Sequence, residues 1–523
     1  MRSIILNILF ISFIAVVLAL TVRGNYGNPN EENINEDGWV EKGPFELSPE
    51  RGRFALTYSL VEDRSIKFSL PIAKFVTPDL GYKNGEFVSL FAPGVSFISI
   101  PGYVVGKAFN ASQIGAFSTI AFFALLNTLL VAKVAEKLGA NTLSAKIASL
   151  IFLFATPAFS YATTMYQHHI SVFIILLSLY SVISHRDIIS LVIVSFLYSI
   201  GISIDYPNAI LVAPIMIFAL GRLIKRQVVD KKIIQVNFNL LKPFALIAVI
   251  PPLLFFLWFN KTSYGSAFRL SGTIPRVVEI EGDKPLFYRA SEEKNVSENE
   301  LGELEKKTAA GFFETRNIIN GLYVHIFSLD RGIVFYAPVI LLGLMGMFIL
   351  TKKKNITVFW AIVGVNIIIY SMWGDPWGGW AFGSRYLIPT YAVLSIFTPF
   401  VLSKLRKDIF LISIVLVLIS YSVLVNSLGA LTTIANPPEI EAQSLSEISG
   451  REEKFTFERN IDLLLENNSK SFVYNQFLKD SIYVWEYYYL VTLPILLGLI
   501  LSVSYLTLFQ KNVIKFKYWE EKK

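Results

Sequence analysis

Long apolar runs recur along the chain and alternate with short polar segments. A helix that spans a membrane needs about 20 mostly apolar residues, and twelve segments reach or approach that length. Two of them, 188–203 and 208–221, are short enough that one could be re-entrant. The twelve are 4–22, 114–135, 144–161, 167–184, 188–203, 208–221, 243–259, 333–350, 355–371, 386–403, 409–427 and 487–509. The pattern predicts an all-α polytopic membrane protein.

The segment 87–106 and the first of the twelve segments need separate interpretation. Residues 87–106 are interrupted by Pro93, Gly94, Pro101 and Gly102, which predicts a helix lying in the membrane interface. The first segment follows Arg2 and fits either an anchor or a signal peptide. No clear small-x-small cleavage site follows it, which favours the anchor.

Composition agrees with a membrane protein. The chain has 523 residues, 53% of them hydrophobic and only 17% charged, against about 25% charged in soluble proteins. This excludes a disordered chain and argues against an ordinary cytosolic enzyme. The net charge of +7 is assigned to loops on a membrane surface, and no nucleic-acid partner is expected. The absence of Cys excludes disulfides and thiolate metal sites.

The distribution of Lys and Arg predicts the orientation. Short basic loops, such as 222–242 and 352–354, all fall on the side of the N-terminus, and such loops are typically cytoplasmic. Both termini are then cytoplasmic in a multi-pass protein of the plasma membrane. The long loops 23–113, 260–332 and 428–486 all face outside. Residues 1–523 are taken as one membrane domain, with its active site on the outer face because long loops often carry function.

The first outer loop offers the clearest candidate acid. Ser48 can cap a helix that begins at Pro49, and the pattern of Phe54, Tyr58 and Val61 predicts an amphipathic helix on the outer leaflet. Glu50 in its first turn could remove a proton from an acceptor hydroxyl. The alternative is that Glu50 only stabilises the helix N-terminus through the macrodipole.

Other candidates lie at the outer ends of the spans. Asp79 flanks a polar turn in the first outer loop, and Asp205 lies between two spans. His168 and His169 begin a span; adjacent helical residues point to different faces, so they are poor joint metal ligands, although one could bind a phosphate or a sugar. Plain solvation or an interfacial pair remains the alternative for these residues.

Two later segments combine aromatic, acidic and basic residues. Arg331 in SLDRGIVFYAP lies where the second outer loop enters the membrane and could bind a lipid phosphate, or extend to ordinary headgroups. The segment SMWGDPWGGWAFGSRYLIP places three Trp beside charged groups, which suits sugar stacking and phosphate binding as well as an aromatic belt. Its candidate binding residues are Asp375, Trp377, Trp380 and Arg385.

Motifs for other chemistries are missing from the sequence. There is no phosphate-binding Walker sequence, no dinucleotide fingerprint and no HExxH. The main alternative is a transporter or flippase for lipids or solutes. That class predicts repeats and ionisable groups near the bilayer midplane, whereas here no clear repeat is present and ionisable groups gather at the outer ends of spans. A non-catalytic scaffold is a third alternative.

Several of these segments together resemble one enzyme superfamily. They are ERGRFALTYSLVEDRSI, TPDLGYKNGEFVSLFAPGVSFISIPGYVVGK, GISIDYPNAI, DRGIVFYAP and WGGWAFGSRYLIP. In this order, and with the long first outer loop, they are similar to GT-C membrane glycosyltransferases, in the branch of protein O-mannosyltransferases and aminoarabinose transferases (glycosyltransferase family 39). The resemblance implies a bundle of about twelve transmembrane helices, with interfacial helices in the first outer loop.

The resemblance also implies an activity. Such enzymes move a hexose or pentose, with inversion, from a polyprenyl-phosphate carrier such as dolichyl phosphate to a lipid, glycan or protein acceptor. Glu50, which precedes Arg53-Phe54-Ala55, would act as the base, with Asp79 in the same cavity. This chain has Glu-Arg where the family often has Asp-Glu, so a divalent cation stays open as a cofactor.

The remaining implied roles concern binding. The family often carries a Lys just before a Pro-Gly step; here Phe91 and Ala92 precede Pro93-Gly94, so the phosphate contact passes to Arg331 and Arg385. The other binding candidates are Arg53, His168, His169, Asp205, Asp375, Trp377 and Trp380.

Overall fold

The computed structural model describes residues 2–39, 43–185, 188–221, 224–230, 233–238, 242–287, 309–351, 356–405 and 407–509. The basic loop 352–354 and the tail after residue 509, which bear on the predicted orientation, lie outside the described residues. So does the stretch 288–308 of the second outer loop.

The described chain is mainly helical. Its α-helices are Arg2–Thr21, Ser48–Val61, Leu70–Val76, Gly94–Ala108, Ser112–Leu138, Thr142–Phe154, Ala158–Tyr161, His168–Ser184, Ile188–Ile204, Asn208–Leu211, Ala213–Leu220, Ile250–Tyr264, Ile318–Ile326, Ile333–Tyr336, Ile340–Ile349, Thr357–Ser371, Ile388–Ser395, Thr398–Leu402, Ile409–Leu431, Glu439–Ser449, Glu458–Leu465 and Val484–Leu508. Short 3-10 turns occur at Lys242–Val249, Ser271–Thr273, Ala309–Phe312, Thr315–Asn317 and Arg385–Leu387, and a π-helical turn at Tyr474–Leu478.

Every one of the twelve apolar segments coincides with helical structure. Within the described residues, five helices are long and apolar enough to span a membrane: Ile4–Thr21, Ser112–Leu138, Lys242–Tyr264, Ile409–Leu431 and Val484–Leu508. The others are shorter apolar helices, some of them broken at a proline such as Pro157 or Pro214, because proline cannot donate the helical hydrogen bond. The predicted all-α polytopic fold class is confirmed.

A small sheet, which the sequence pattern did not predict, forms between the segments 23–113 and 260–332. It has four antiparallel strands in the spatial order Lys67–Phe68, Glu86–Ser89, Leu80–Lys83 and Arg276–Val277. Two hairpins, Ile224–Asp230 with Ile233–Phe238 and Glu279–Glu281 with Lys284–Leu286, form separate pairs. The four-stranded sheet joins the first outer loop to the second, because Leu80 and Gly81 pair with Val277 and Arg276.

The helix Ser48–Val61 forms where predicted, but its environment differs from the prediction. Nine of its residues, from Glu50 through Ser59, are buried, so it packs inside the protein instead of lying on the outer leaflet. The Ser48 hydroxyl does not cap the helix and instead donates to Asp79 Oδ2 at 2.5 Å. The predicted interfacial helix in 87–106 is the helix Gly94–Ala108, which packs against Ser48–Val61 and Ser112–Leu138.

Candidate active site

The acid predicted from the sequence is fully buried. Glu50 has no exposed surface, and its two carboxylate oxygens accept the backbone N–H groups of Glu46 and Met165, each at 3.2 Å. Pro49 at the start of the helix suits this position because its fixed φ fits the first turn, where no N–H donor is needed. Burial raises the pKa of Glu50 to about 7, with Arg23 lowering it and Glu46 raising it.

Arg53 lies one turn further along the same helix and is held from several sides. Its Nη2 donates to Gln167 Oε1 at 2.6 Å, and its guanidinium lies over the ring of Phe91 at 4.8 Å. Gly52 makes room for that ring, since a Cβ there would approach Phe91 to 2.7 Å. Phe91 therefore supports the guanidinium of Arg53.

Gln167 connects Arg53 to the second predicted acid. Its Nε2 donates to Asp205 Oδ2 at 3.1 Å, so Arg53, Gln167 and Asp205 form one chain of hydrogen bonds. Burial raises the pKa of Asp205 to about 6, against the lowering effects of Gln167 and the nearby Arg53 and Arg385. Three distant parts of the sequence thus converge in one cluster.

A second arginine lies against the same aromatic side chain as the first. The guanidinium of Arg385 lies 4.7 Å from the ring centre of Tyr166, and that of Arg53 lies 5.3 Å from it. His168 stacks on Tyr166 at 5.7 Å, with its ring nearly parallel. Arg385 also lies over Tyr386, which stacks on Tyr370 at 4.3 Å.

Several polar atoms of this cluster are buried and, among the described residues, have no partner with hydrogen-bond geometry. They are Arg385 Nε and Nη1, Arg53 Nε, the hydroxyl of Tyr166 and His168 Nε2. A buried donor without an acceptor costs about 1–3 kcal/mol, and more when it is charged, so such groups are expected to meet a ligand. Two guanidinium groups and a hydroxyl are suited to an anion with several oxygens.

Arg331, which the sequence suggests as a phosphate ligand, is surrounded by backbone carbonyls. It is fully buried, and its guanidinium donates four hydrogen bonds to backbone carbonyls at 2.8–3.0 Å. The acceptors are the carbonyls of Trp377, Asp330, Gly379 and Asn436. These bonds occupy most of its N–H groups and anchor the loop after Ser371, which favours a structural role for Arg331 over the predicted phosphate contact.

Asp375 also organises that loop. Its carboxylate accepts the N–H groups of Gly378 at 3.2 Å and Gly379 at 2.6 Å. Both glycines have a left-handed backbone, with φ of 74° and 61°, which glycine adopts without the strain a side chain brings. The turn points the carbonyl of Gly378 at Arg385 Nη2, 2.6 Å away, so Asp375 helps to position Arg385. A substrate contact of Asp375 stays a prediction.

The remaining predicted residues lie apart from the cluster or have other partners. Asp79 accepts from Ser48 and pairs with Arg276 at 2.9 Å on the outer sheet. His169 contacts Asn127 and the carbonyl of Ala158. Both residues therefore have protein partners in this structure, and their predicted roles stay predictions.

The tryptophans are also engaged. The ring of Trp380 lies under Arg459 at 5.3 Å, and Trp377 contributes its carbonyl to Arg331. Among the described residues, no group of three His, Asp or Glu side chains is arranged to hold a metal ion. The structure therefore brings together Glu50, Arg53, His168, Asp205 and Arg385, and it adds Tyr166 and Gln167.

Comparison with known proteins finds likeness at the level of the fold. No family model and no curated protein matches the chain. ArnT from Cupriavidus metallidurans in its apo state matches with a TM-score of 0.48 and 10% identity, over 97% of this chain and 78% of ArnT. ArnT bound to undecaprenyl phosphate gives 0.46 and 11%, over 96% and 77%. The oligosaccharyltransferase AglB from Archaeoglobus fulgidus, in complex with an inhibitory peptide and a dolichol-phosphate, gives 0.40 and 11%, over 84% and 57%. Both proteins are GT-C enzymes, the superfamily that the sequence resembles.

Proposed function

We propose that this protein transfers a sugar from a polyprenyl-phosphate carrier to an acceptor hydroxyl at the outer face of the plasma membrane. The observation that carries the proposal is the pairing of a buried acid, Glu50, with two guanidinium groups that retain unpartnered N–H donors. A base and an anion site in one buried cluster are the two elements that such a transfer requires.

Glu50 has the properties of a general base. A carboxylate with a pKa near the working pH is available to accept a proton and is basic enough to do so, and burial brings the pKa of Glu50 to about 7. The ionised carboxylate takes the proton of the acceptor hydroxyl as the oxygen attacks the anomeric carbon. The bond to the phosphate oxygen breaks on the opposite side, so the configuration is inverted.

Arg53 and Arg385 are placed to receive the leaving phosphate. Negative charge develops on the phosphate as its bond to the sugar breaks, and fixed cations at that point lower the barrier. Arg385 keeps its Nε and Nη1 free and Arg53 its Nε, while Phe91, Gln167 and Gly378 fix the two side chains. Tyr166 between them offers its hydroxyl to the same anion. The polyprenyl phosphate is itself the leaving group, so no nucleotide is required.

The experiment compares wild-type protein with Glu50→Gln in proteoliposomes. Both are given a panel of undecaprenyl-phosphate and dolichyl-phosphate hexoses and pentoses, with a membrane extract as the source of acceptors. Loss of one such base reduces turnover by about 10²–10⁴-fold, and the variant is expected to keep its affinity for the lipid phosphate. Equal transfer by both proteins would remove Glu50 as the base. No transfer of any sugar by the wild type would favour the transporter alternative.

A further inference from the structure

An ion pair that the proposed chemistry does not use lies directly behind Glu50. Arg23, which follows the first apolar helix, donates from Nη1 to Glu46 Oε2 at 2.6 Å. Both side chains are buried, with 0% and 6% of their surfaces exposed. A buried ion pair rarely stabilises a fold more than apolar residues of the same size would, because desolvation offsets the attraction. The pair therefore calls for a role other than stability.

Glu46 joins three segments that are far apart in the sequence. Its Oε2 accepts from Arg23 at the end of the first helix and from the N–H of Ile434, 2.8 Å away in the third outer loop. Its backbone N–H donates to Glu50 Oε2 at 3.2 Å. Arg23 also reaches the carbonyl of Gly429 at 3.4 Å. The carboxylate of Glu50 is therefore oriented by a residue that is itself fixed from two sides.

We propose that Arg23 and Glu46 are positioning residues, which hold the carboxylate of Glu50 in place and set the pH at which it loses its proton. The inference rests on the proposed function of Glu50 as the base. It adds two residues that do not touch the substrate and act through Glu50.

The charges around Glu50 determine the direction in which each neighbour shifts its pKa. Arg23 and Glu46 face it from behind, and its own helix contributes Arg51 and Arg53. Tyr161, the last residue of the helix Ala158–Tyr161, and Tyr166, which follows that helix, also lie near Glu50. Arg23 favours the ionised form of Glu50, and Glu46 disfavours it. Glu46 keeps its own charge: burial raises its pKa, but Arg23, Lys470 and the N–H of Ile434 bring it below the usual value.

The two charges can be removed one at a time by Arg23→Gln and Glu46→Gln. For each variant, kcat/KM is measured against pH, and the low-pH side of the profile (the acid limb), where Glu50 loses its proton, is compared with that of the wild type. Loss of a neighbouring charge shifts a buried pKa by about one unit or more. We expect Arg23→Gln to move the limb to higher pH and Glu46→Gln to move it to lower pH. Arg23→Lys keeps the charge and is expected to restore the wild-type limb. Lys454→Gln, which breaks the exposed pair Lys454–Asp462, is the matched control and is expected to leave the limb in place.

A measurement without substrate separates this inference from the proposed function. The pKa of Glu50 in the folded protein lies above its ordinary value of 4.5. Ionisation of Glu50 therefore lowers stability as pH rises from about 4.5 to about 7, after which the effect is constant. For each protein, the melting temperature is compared with that of the same protein carrying Glu50→Gln. As the pH rises, this difference stops changing at the pKa of Glu50 in the folded protein. We expect this pH to rise with Arg23→Gln and to fall with Glu46→Gln, whether or not a sugar donor has been found.

The outcomes are distinct. Opposite shifts in the two variants support the positioning role. Shifts in the same direction, or none, in folded variants would overturn it, even if Glu50→Gln abolishes transfer. If Arg23→Gln is not recovered folded, Arg23→Lys is compared with Glu46→Gln; we expect no shift in the first and a lower pH in the second. Full transfer by Glu50→Gln with opposite shifts in melting behaviour would instead refute the proposed base and leave the electrostatic coupling standing.

Discussion

Arg385 is expected to supply much of the affinity for the lipid phosphate, and Arg385→Lys tests this with little change in charge. In the structure Nη2 is bound to the carbonyl of Gly378, while Nε and Nη1 have no partner. Lysine keeps the positive charge but loses the planar edge that binds two oxygens at once. Loss of one charge-assisted hydrogen bond costs about 2 kcal/mol, which corresponds to about a 30-fold weaker Kd.

The assay is equilibrium binding of undecaprenyl phosphate to the purified protein in detergent, followed by native mass spectrometry or by tryptophan fluorescence. Arg276→Lys is the matched control, because it makes the same chemical change on the outer sheet, where Arg276 pairs with Asp79. We expect a rise in Kd for Arg385→Lys alone. An unchanged Kd for Arg385→Lys in folded protein would refute the assignment of the phosphate to this guanidinium.

Arg331→Lys is compared with Arg385→Lys for its effect on the stability of the fold. Its guanidinium donates four hydrogen bonds to backbone carbonyls, and lysine can replace only some of them. We expect a lower melting temperature for Arg331→Lys and little change for Arg385→Lys. The opposite order would mean that the two arginines have been assigned the wrong roles.

Three further predictions concern other parts of the account. Burial raises the pKa of Asp205 to about 6 from its ordinary value of 3.8, so its neutral form stabilises the fold below pH 4 and that contribution is lost as pH rises through 6. Asp205→Asn should therefore raise the melting temperature at pH 8 and change it little at pH 4, and equal effects at both pH values would contradict this. Gly378→Ala should reduce sugar transfer and affinity for the lipid phosphate, because φ is 74° there and a Cβ would lie 3.0 Å from Arg385 Nε. Normal affinity of this variant would show that the turn does not position Arg385. A reporter fused after Lys354 should be cytoplasmic, and an external signal would overturn the predicted orientation.

The fold was largely predictable because span length and apolar content are local properties of the sequence. All twelve apolar segments coincide with helices. The four-stranded sheet was not predicted, because its strands have only two to four residues and carry no alternation long enough to detect. The burial of the helix Ser48–Val61 was missed because its amphipathic pattern fits an interfacial helix as well as a packed one.

The site was predictable only in part. Glu50 and Arg53 belong to one helix, so their proximity follows from their spacing of three residues. Arg331 and Arg385 could not be distinguished by sequence, since their roles depend on which carbonyls reach each guanidinium, and those of Arg331 come from as far away as Asn436. Tyr166 and Gln167 directly precede the two histidines in TTMYQHHISVF. Two polar residues at the end of an apolar span were the sequence signal that could have identified them as site residues. Nothing local indicates that Arg23 meets Glu46.

The central claim is that one anion site, formed by Arg53, Tyr166 and Arg385, holds the lipid phosphate beside Glu50. The most direct measurement is an experimental structure of the protein loaded with undecaprenyl phosphate. The account predicts that phosphate density lies within hydrogen-bond distance of Arg385 Nε or Nη1 and of the Tyr166 hydroxyl, on the side of Glu50. Phosphate density elsewhere, with these donors still unpartnered, would contradict it.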